Sequence, residues 1–279
     1  PVSRPDLCIK SVRVEFARMG TGPRDVLAVS RELAVGVFIH EIVTFRADGA
    51  VEVHALPSSE SGRAAGLGVG DRIWVVTSSR AAVLDPVSGV LSESVPVPEG
   101  TNPVGVGEDP ATGELYLLSD VAEVWRRSVG GETFERFFTV PPERVRPGLE
   151  NKAGRFLLLG PRRFLAFADD VAVLLEVDGD IVRLLTGAAV GLGFPVGVRT
   201  SEGRIFLVEA ARGELFEYVP GRLELRAKLP TRLAGLEILS EAGPRLVYLG
   251  ISGVLGTVDL GLPEECPDTL AGTLVGPDG

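Results

Sequence analysis

A short phrase built around a small residue recurs at intervals near 40 residues, and this limits the fold more than any other feature. Ala65-Gly66-Leu67-Gly68-Val69, Val104-Gly105-Val106-Gly107, Ala153-Gly154-Arg155-Phe156-Leu157, Val196-Gly197-Val198 and Ala234-Gly235-Leu236-Glu237-Ile238 are clear copies, and Leu27-Ala28-Val29 is a degenerate first one. The small residue falls at 28, 66, 105, 154, 197 and 235, giving steps of 38, 39, 49, 43 and 38. Self-similarity at that period marks a repeat architecture in which each copy is one supersecondary unit.

The text between copies says what the unit is. After Gly66 come Ile73-Trp74-Val75-Val76, then Ala82-Val83-Leu84, then a run from Val90 to Val97, separated by Ser78-Ser79-Arg80 and Asp85-Pro86-Val87-Ser88-Gly89. Short β-branched and aromatic runs bounded by Gly, Pro, Asp and Ser read as strands. Four per copy make a four-stranded antiparallel sheet, and radial repetition of such sheets makes a β-propeller. The expected fold is therefore all-β: one six-bladed domain over residues 1–279, with blades near 25–56, 64–97, 103–140, 154–186, 194–229 and 233–259, and a C-terminal tail at 260–279. The last blade lacks an outer strand. Residues 8–16 otherwise have no place, so the N-terminal strand is expected to close the ring there and remove two open sheet edges. Thr269 to Val275 is the competing closing strand.

The cysteines bear on the same closure. Cys266 lies seven residues past the strand ending near 259, and Cys8 opens the N-terminal strand that would begin at that end. A Cys8–Cys266 disulfide closing so long a loop would contribute roughly 4–5 kcal/mol in the simple chain-entropy picture. Two free buried thiols are the alternative. A disulfide implies an oxidising compartment or the cytoplasm of a hyperthermophile.

Apolar residues make up 45%, enough for a continuous core, and the formal net charge of -10 disfavours nucleic acid and anionic membranes. No apolar run is long enough to span a membrane. The chain begins at Pro1, as a processed or trimmed chain would. Glutamine is absent, asparagine occurs only at 102 and 151, and methionine only at 19. That scarcity fits a thermophile; a GC-rich genome is the plainer explanation.

Little of the sequence reads as catalytic. His40 and His54 have no Cys or His partner at metal spacing, and they read as strand histidines. No nucleophile elbow, P-loop or His-Glu-x-x-His occurs. Asp169 and Asp170, with Asp178 and Asp180, form a candidate calcium cluster, although Asp is above all a turn former. No catalytic residue, metal ligand or cofactor is expected beyond a structural or channel calcium ion.

Two stretches carry a family resemblance. Asn102-Pro103-Val104-Gly105-Val106-Gly107-Glu108-Asp109-Pro110-Ala111-Thr112-Gly113-Glu114-Leu115-Tyr116 is similar to the repeat opening of NHL-type propellers. Phe194-Pro195-Val196-Gly197-Val198, through Gly203-Arg204-Ile205-Phe206-Leu207-Val208-Glu209, resembles both those and the SMP-30/gluconolactonase propellers. For the lactonases, the resemblance implies a divalent metal at the mouth of the central channel. One ligand would be an Asn directly before the repeat glycine, in a Pro-Asn-Gly phrase. Here that residue is Ala65, Val104, Ala153, Val196 or Ala234. A hard cation needs oxygen ligands, so the expectation is an apolar mouth. Asn102 lies two residues early.

The rhythm breaks once. Arg126, Arg127, Arg136, Arg144, Arg146, Lys152, Arg155, Arg162 and Arg163 share one span with only Glu132, Glu135, Glu143 and Glu150, inside an otherwise acidic chain. The span contains the 49-residue step, and its extra length falls near 141–152. Long loops on rigid scaffolds tend to bind. Arg144, Arg146 and Lys152 are thus the candidate contact for an anionic ligand, an acidic protein partner or a second copy in head-to-tail self-assembly. Pairing with local glutamates is the alternative. The expected function is a non-enzymatic interaction scaffold, secreted or at a cell surface: a receptor domain, a filament or surface-layer component, or a viral attachment protein. A metal-dependent lactonase-like hydrolase with a divergent site is the alternative.

Overall fold

The computed structural model describes residues 8–15, 23–29, 33–46, 50–120, 123–139, 153–160, 163–168, 171–178, 181–189, 196–199, 204–209, 214–219, 222–228, 236–242, 245–250, 254–259 and 273–275. Apart from one 3-10 turn at Val69–Asp71, the regular structure there is β-strand. Strand β1 is Cys8–Glu15. The first sheet follows as β2 (Pro23–Ala28), β3 (Leu33–Phe38), β4 (Glu41–Arg46) and β5 (Val51–Ala55). The second is β6 (Gly62–Leu67), β7 (Ile73–Thr77), β8 (Arg80–Leu84) and β9 (Leu91–Pro96). The third is β10 (Pro103–Glu108), β11 (Leu115–Ser119), β12 (Glu123–Arg127) and β13 (Glu135–Thr139). The fourth is β14 (Ala153–Gly160), β15 (Arg163–Ala168), β16 (Val171–Asp178) and β17 (Ile181–Ala189). The fifth is β18 (Val196–Arg199), β19 (Ile205–Glu209), β20 (Glu214–Val219) and β21 (Arg222–Lys228). β22 (Leu236–Ala242), β23 (Arg245–Gly250), β24 (Val254–Asp259) and β25 (Thr273–Val275) complete the series.

These five sheets are antiparallel meanders, each in chain order. A further sheet has the order β22-β23-β24-β1-β25. In it β1 pairs antiparallel with β24, Cys8 opposite Asp259, while β25 pairs parallel with β1. The two candidate closing segments therefore do not compete: both lie in this sheet, one beyond the other. The first strands of the sheets touch in chain order, β2 to β6, β10, β14, β18 and β22, and β22 also touches β2.

Burial explains why the second strands read as unbroken apolar runs. Every residue of β7 and β11 is buried. Strand residues alternate faces, and each face of β7 meets a different sheet. Ile73 and Val75 pack with Val35, Val37 and Ile42 of the first sheet. Trp74 and Val76 pack with Leu115, Leu117 and Phe134 of the third. Fourth strands are wetter: four of the six residues of β9 are exposed.

First strands crowd one another at β6 and β10, and the crowding explains the glycine at 66 in the recurring phrase. A Cβ on Gly66 would overlap the Val106 carbonyl oxygen of the next first strand. One on Gly62 would overlap the carbonyl of Phe38.

The phrase and the structural register nevertheless differ. Gly62, Pro103 and Pro23 stand opposite the last residue of their partner strands, Thr77, Ser119 and Phe38. Counted from there, Gly66 corresponds to Gly107 and Leu27, not to Gly105 and Ala28. All three strands also carry a register shift near their start, between Pro23 and Asp25, between Gly62 and Ala64, and between Pro103 and Gly105. Each is a β-bulge, in which one residue is added to the strand without a partner.

Polar groups brace individual sheets as well. In the fifth, Arg204 holds Glu217 through two hydrogen bonds of 2.8 and 3.0 Å, and Arg226 Nε donates a third at 2.7 Å.

Replacing Gly66 with Ala should lower stability by about 1–3 kcal/mol, the usual range for overpacking. The readout is a lower urea midpoint at unchanged slope; an unchanged midpoint would refute the close approach. Hydrogen bonding from Arg204, aided by the Arg204 and Arg226 charges, holds Glu217 below the ordinary value of 4.5 against the opposing effect of burial. The unfolded chain therefore takes up this proton first as pH falls. The stabilisation is complete above about pH 4.5 and drains away as pH drops through the folded value. Glu217→Gln should flatten the pH dependence of the urea midpoint in that acid range and nowhere else.

Candidate functional site

The bulges set the first strands' proximal end, where the chain enters each sheet. The added residues are Arg24, Arg63 and Val104. A bulge bends its strand and re-aims a side chain, which is why bulges gather beside functional sites. Corresponding positions of the first and second sheets therefore carry arginine. The residue before each glycine of the phrase is not one structural position: Ala65 corresponds to Val106, and Val104 to Arg63. At the place that Val104 holds in the third sheet, the first two sheets carry Arg24 and Arg63, where the phrase alone led to an expectation of apolar residues.

Arg63 is half-buried, and its Nε is fully buried with no hydrogen-bond partner. Burial first, and then the like charge of Arg24, push its guanidinium below the ordinary arginine value, while Asp120 pulls the other way. An arginine keeps its charge through such a shift. Asp120 follows β11 and is fixed to the residue that precedes β10: Asn102 Nδ2 donates to Asp120 Oδ2 at 2.7 Å, and the Asp120 N–H donates to the Asn102 carbonyl at 2.9 Å. Asn102 Oδ1 is buried without a partner. Charged groups of three sheets thus act on one another at this end, and Arg63 Nε and Asn102 Oδ1 are both buried without a hydrogen-bond partner.

Carboxylates on the first strands are used differently. Asp25 is buried, and its Oδ2 accepts the Ala65 N–H at 2.9 Å, joining first and second sheets. Glu108, its side chain 2% exposed, joins third and second at the distal end. It accepts the Val69 N–H at 3.0 Å and Trp74 Nε1–H at 3.0 Å, and it pairs with Arg72. Arg72 and Arg127 lie 6.0 and 5.4 Å from the Trp74 ring centroid. Asp71 and Glu93 adopt positive φ, 60° and 47°; Asp71 precedes Arg72, and Glu93 pairs with it at 3.4 Å. Leu67, Val69, Val87, Val90 and Val129 are exposed in the turns of this distal end.

The residues expected from sequence fare unevenly. Arg144, Arg146 and Lys152 lie outside the described residues, as do Cys266, Asp169, Asp170 and Asp180. Of the basic span, Arg126 pairs with Glu114 at 3.5 Å and lies over Phe137 at 4.6 Å, and Arg136 pairs with Glu123 at 3.4 Å. His40 is exposed in a turn, and His54 is half-buried against Gly89. Among the described residues, no three His, Cys, Asp or Glu gather as a metal site would require, and no helix is long and apolar enough to cross a membrane. Sequence reasoning missed Arg24, Arg63, Asp120 and Glu108. The signal for the first two was their spacing, which is one repeat.

The sequence matches no family model and no curated protein. Solved structures are nonetheless similar in fold. A putative gluconolactonase aligns with a TM-score of 0.70 at 16% identity, over 92% of this chain and 96% of the other. Virginiamycin B lyase from Staphylococcus aureus aligns with a TM-score of 0.64 at 11% identity, over 91% and 99%. The WD40 propeller domain of Doa1 gives 0.59 at 7% identity, over 92% and 97%. At these identities the likeness concerns fold alone. The chain has a β-propeller fold resembling the NHL and SMP-30-like propellers.

Glu108→Gln should remove the charge that holds Arg72 and cost about 1–3 kcal/mol, the range for a charged hydrogen bond with one partner partly exposed. The check is thermal and urea unfolding beside Glu93→Gln, whose exposed pair should cost under about 1 kcal/mol. Equal effects would refute the role of Glu108 as a clasp.

Proposed function

We propose that this protein is an interaction scaffold that holds an anionic ligand or acidic partner at the proximal end of its propeller, rather than an enzyme. One observation carries the reading. Asp25 and Glu108, the carboxylates of the first three first strands, are engaged in joining sheets, while the bulge positions at the proximal end carry Arg24 and Arg63. Arg144, Arg146 and Lys152, which precede β14 in the sequence, are the proposed contact for that ligand or partner. The WD40 propeller domain among the similar structures supports a capacity for protein interaction.

The scaffold is read as a ring of six blades, the N-terminal strand β1 completing the last and β25 capping it; the contact between β22 and β2 supports this. A Cys8–Cys266 disulfide would fasten the closure, and it favours a location outside the cytoplasm or at a cell surface. Self-assembly is a second reading, favoured by the exposed Leu67, Val69, Val87, Val90 and Val129 at the distal end. The lyase and the gluconolactonase-like neighbour keep a metal-dependent enzyme as the alternative.

An immobilised polyglutamate peptide should retain the protein at low salt and release it as salt rises. The double change Arg144→Glu and Arg146→Glu should weaken retention by roughly tenfold or more, about 1.4 kcal/mol or above. Unchanged retention would refute the basic contact. A stoichiometric divalent metal in the purified protein would instead favour the enzyme.

A further inference from the structure

We propose that the distal end of the second and third sheets is a docking surface for a basic, aliphatic-rich protein segment, separate from the anionic contact and independent of it. In an antiparallel meander the β6–β7 and β8–β9 connections lie at one end of the sheet, and so do β10–β11 and β12–β13. The bond from the Val69 N–H to Glu108 Oε2, at 3.0 Å, sets these ends of the two sheets side by side. Contacts run across them without a break. Glu93 pairs with Arg72 at 3.4 Å, Arg72 Nε donates to the Val69 carbonyl at 3.2 Å, and Arg72 and Arg127 both lie over Trp74. Val129 follows in the turn after Arg127 and abuts Gly113, where an added Cβ would lie 3.3 Å from Val129 Cγ2.

Leu67, Val69, Val87, Val90 and Val129 are exposed on this end, Val87 by 68% and Val129 by 69%. One exposed aliphatic residue is ordinary, but a group of them rimmed by polar residues marks an interaction surface. The rim has one sign. The exposed charged residues of these turns are Asp71, Asp85 and Glu132, all acids. The arginines are withdrawn: Arg72 is paired with buried Glu108 and with Glu93, and Arg127 is half-buried over Trp74 with its Nε out of solvent. Glu93 and Asp71 keep their acids at φ 47° and 60°, where a residue with a side chain is strained, and such strain gathers at functional sites. Charge then selects the occupant. The chain carries net charge -10, and this rim repeats that sign, so a second copy laid on the face would set like acids against one another. A segment with lysine or arginine among aliphatic residues meets the valines and the acids together.

Calorimetric titration of the whole protein tests the surface with three peptides of equal length: alternating lysine and leucine, alternating lysine and serine, and alternating glutamate and leucine. The lysine–leucine peptide should bind saturably at one per chain. The lysine–serine peptide should bind roughly tenfold more weakly or worse, and the glutamate–leucine peptide should not bind. Val87→Ser with Val129→Ser should weaken the lysine–leucine peptide by roughly tenfold. Asp71→Asn with Glu132→Gln should weaken it by a similar factor and flatten its salt dependence. All of these side chains are exposed, and asparagine tolerates a positive φ, so the urea midpoint should not move. Equal affinity for the two lysine peptides, or full affinity in either folded double variant, overturns the proposal. If a double variant does not fold, the peptide comparison decides alone. A concentration-dependent dimer in sedimentation, dissolved by Val87→Ser with Val129→Ser, also overturns it, because the occupant is then a second copy. The Arg144→Glu, Arg146→Glu protein separates this surface from the anionic contact. Loss of polyglutamate retention with lysine–leucine binding intact supports both, and intact retention refutes the anionic contact alone.

Discussion

The close approach of neighbouring first strands is the constraint on which the described structure depends. Where β6 passes β10, the backbones leave no room for a Cβ at Gly66. Strands packed so tightly cannot separate their sheets with large side chains, so apolar bulk moves outward to the second strands, where Trp74, Tyr116, Leu115 and Leu117 are fully buried. Main-chain groups facing a neighbouring sheet must then find partners at short range. Asp25 and Glu108 supply them, Asp25 at the Ala65 N–H and Glu108 at the Val69 N–H. The second sheet is thereby clasped from both sides, once by the first and once by the third.

That arrangement separates the two ends of the first strands chemically. At the distal end Glu108 stands against Arg72, and Arg72 and Arg127 both lie over Trp74. At the proximal end Asp120 is held by Asn102 and acts on Arg63, whose charge Arg24 opposes. The distal end is thus built as a joint between the second and third sheets.

Much of the fold was legible in one dimension, and the reasons are local. Second strands announce themselves because burial on both faces demands unbroken runs such as Ile73 to Thr77. Turns announce themselves because Asp-Pro-x-Ser/Thr-Gly at 85–89 and 109–113 supplies an acceptor and a glycine: Asp85 takes the Val87 N–H at 2.9 Å, and Asp109 takes that of Ala111 at 2.8 Å. The register of the first strands was not legible. The phrase stands at a different offset in each strand, later at Gly66 than at Gly105, so the two glycines look equivalent in the sequence and are not so in space. Glu108 was equally hidden, since nothing local distinguishes a buried clasp from a solvated turn acid. Arg24 and Arg63 were overlooked because charge was weighed by density along the chain, where Arg144, Arg146 and Lys152 stand out. Two arginines one repeat apart are distant in sequence yet lie at matching places in adjacent sheets.

The shared fold constrains this reading without deciding it. A lyase, a gluconolactonase-like protein and a WD40 domain all align with most of this chain, so radial packing of sheets is compatible with unrelated chemistry. What the architecture does fix is where chemistry is placed. Positions where the first strands enter their sheets recur once per sheet, and in the first three sheets a bulge there adds a residue that pairing with the next strand does not claim. Those residues are Arg24, Arg63 and Val104, so a single place in the fold accepts a charged side chain in two sheets and an apolar one in the third.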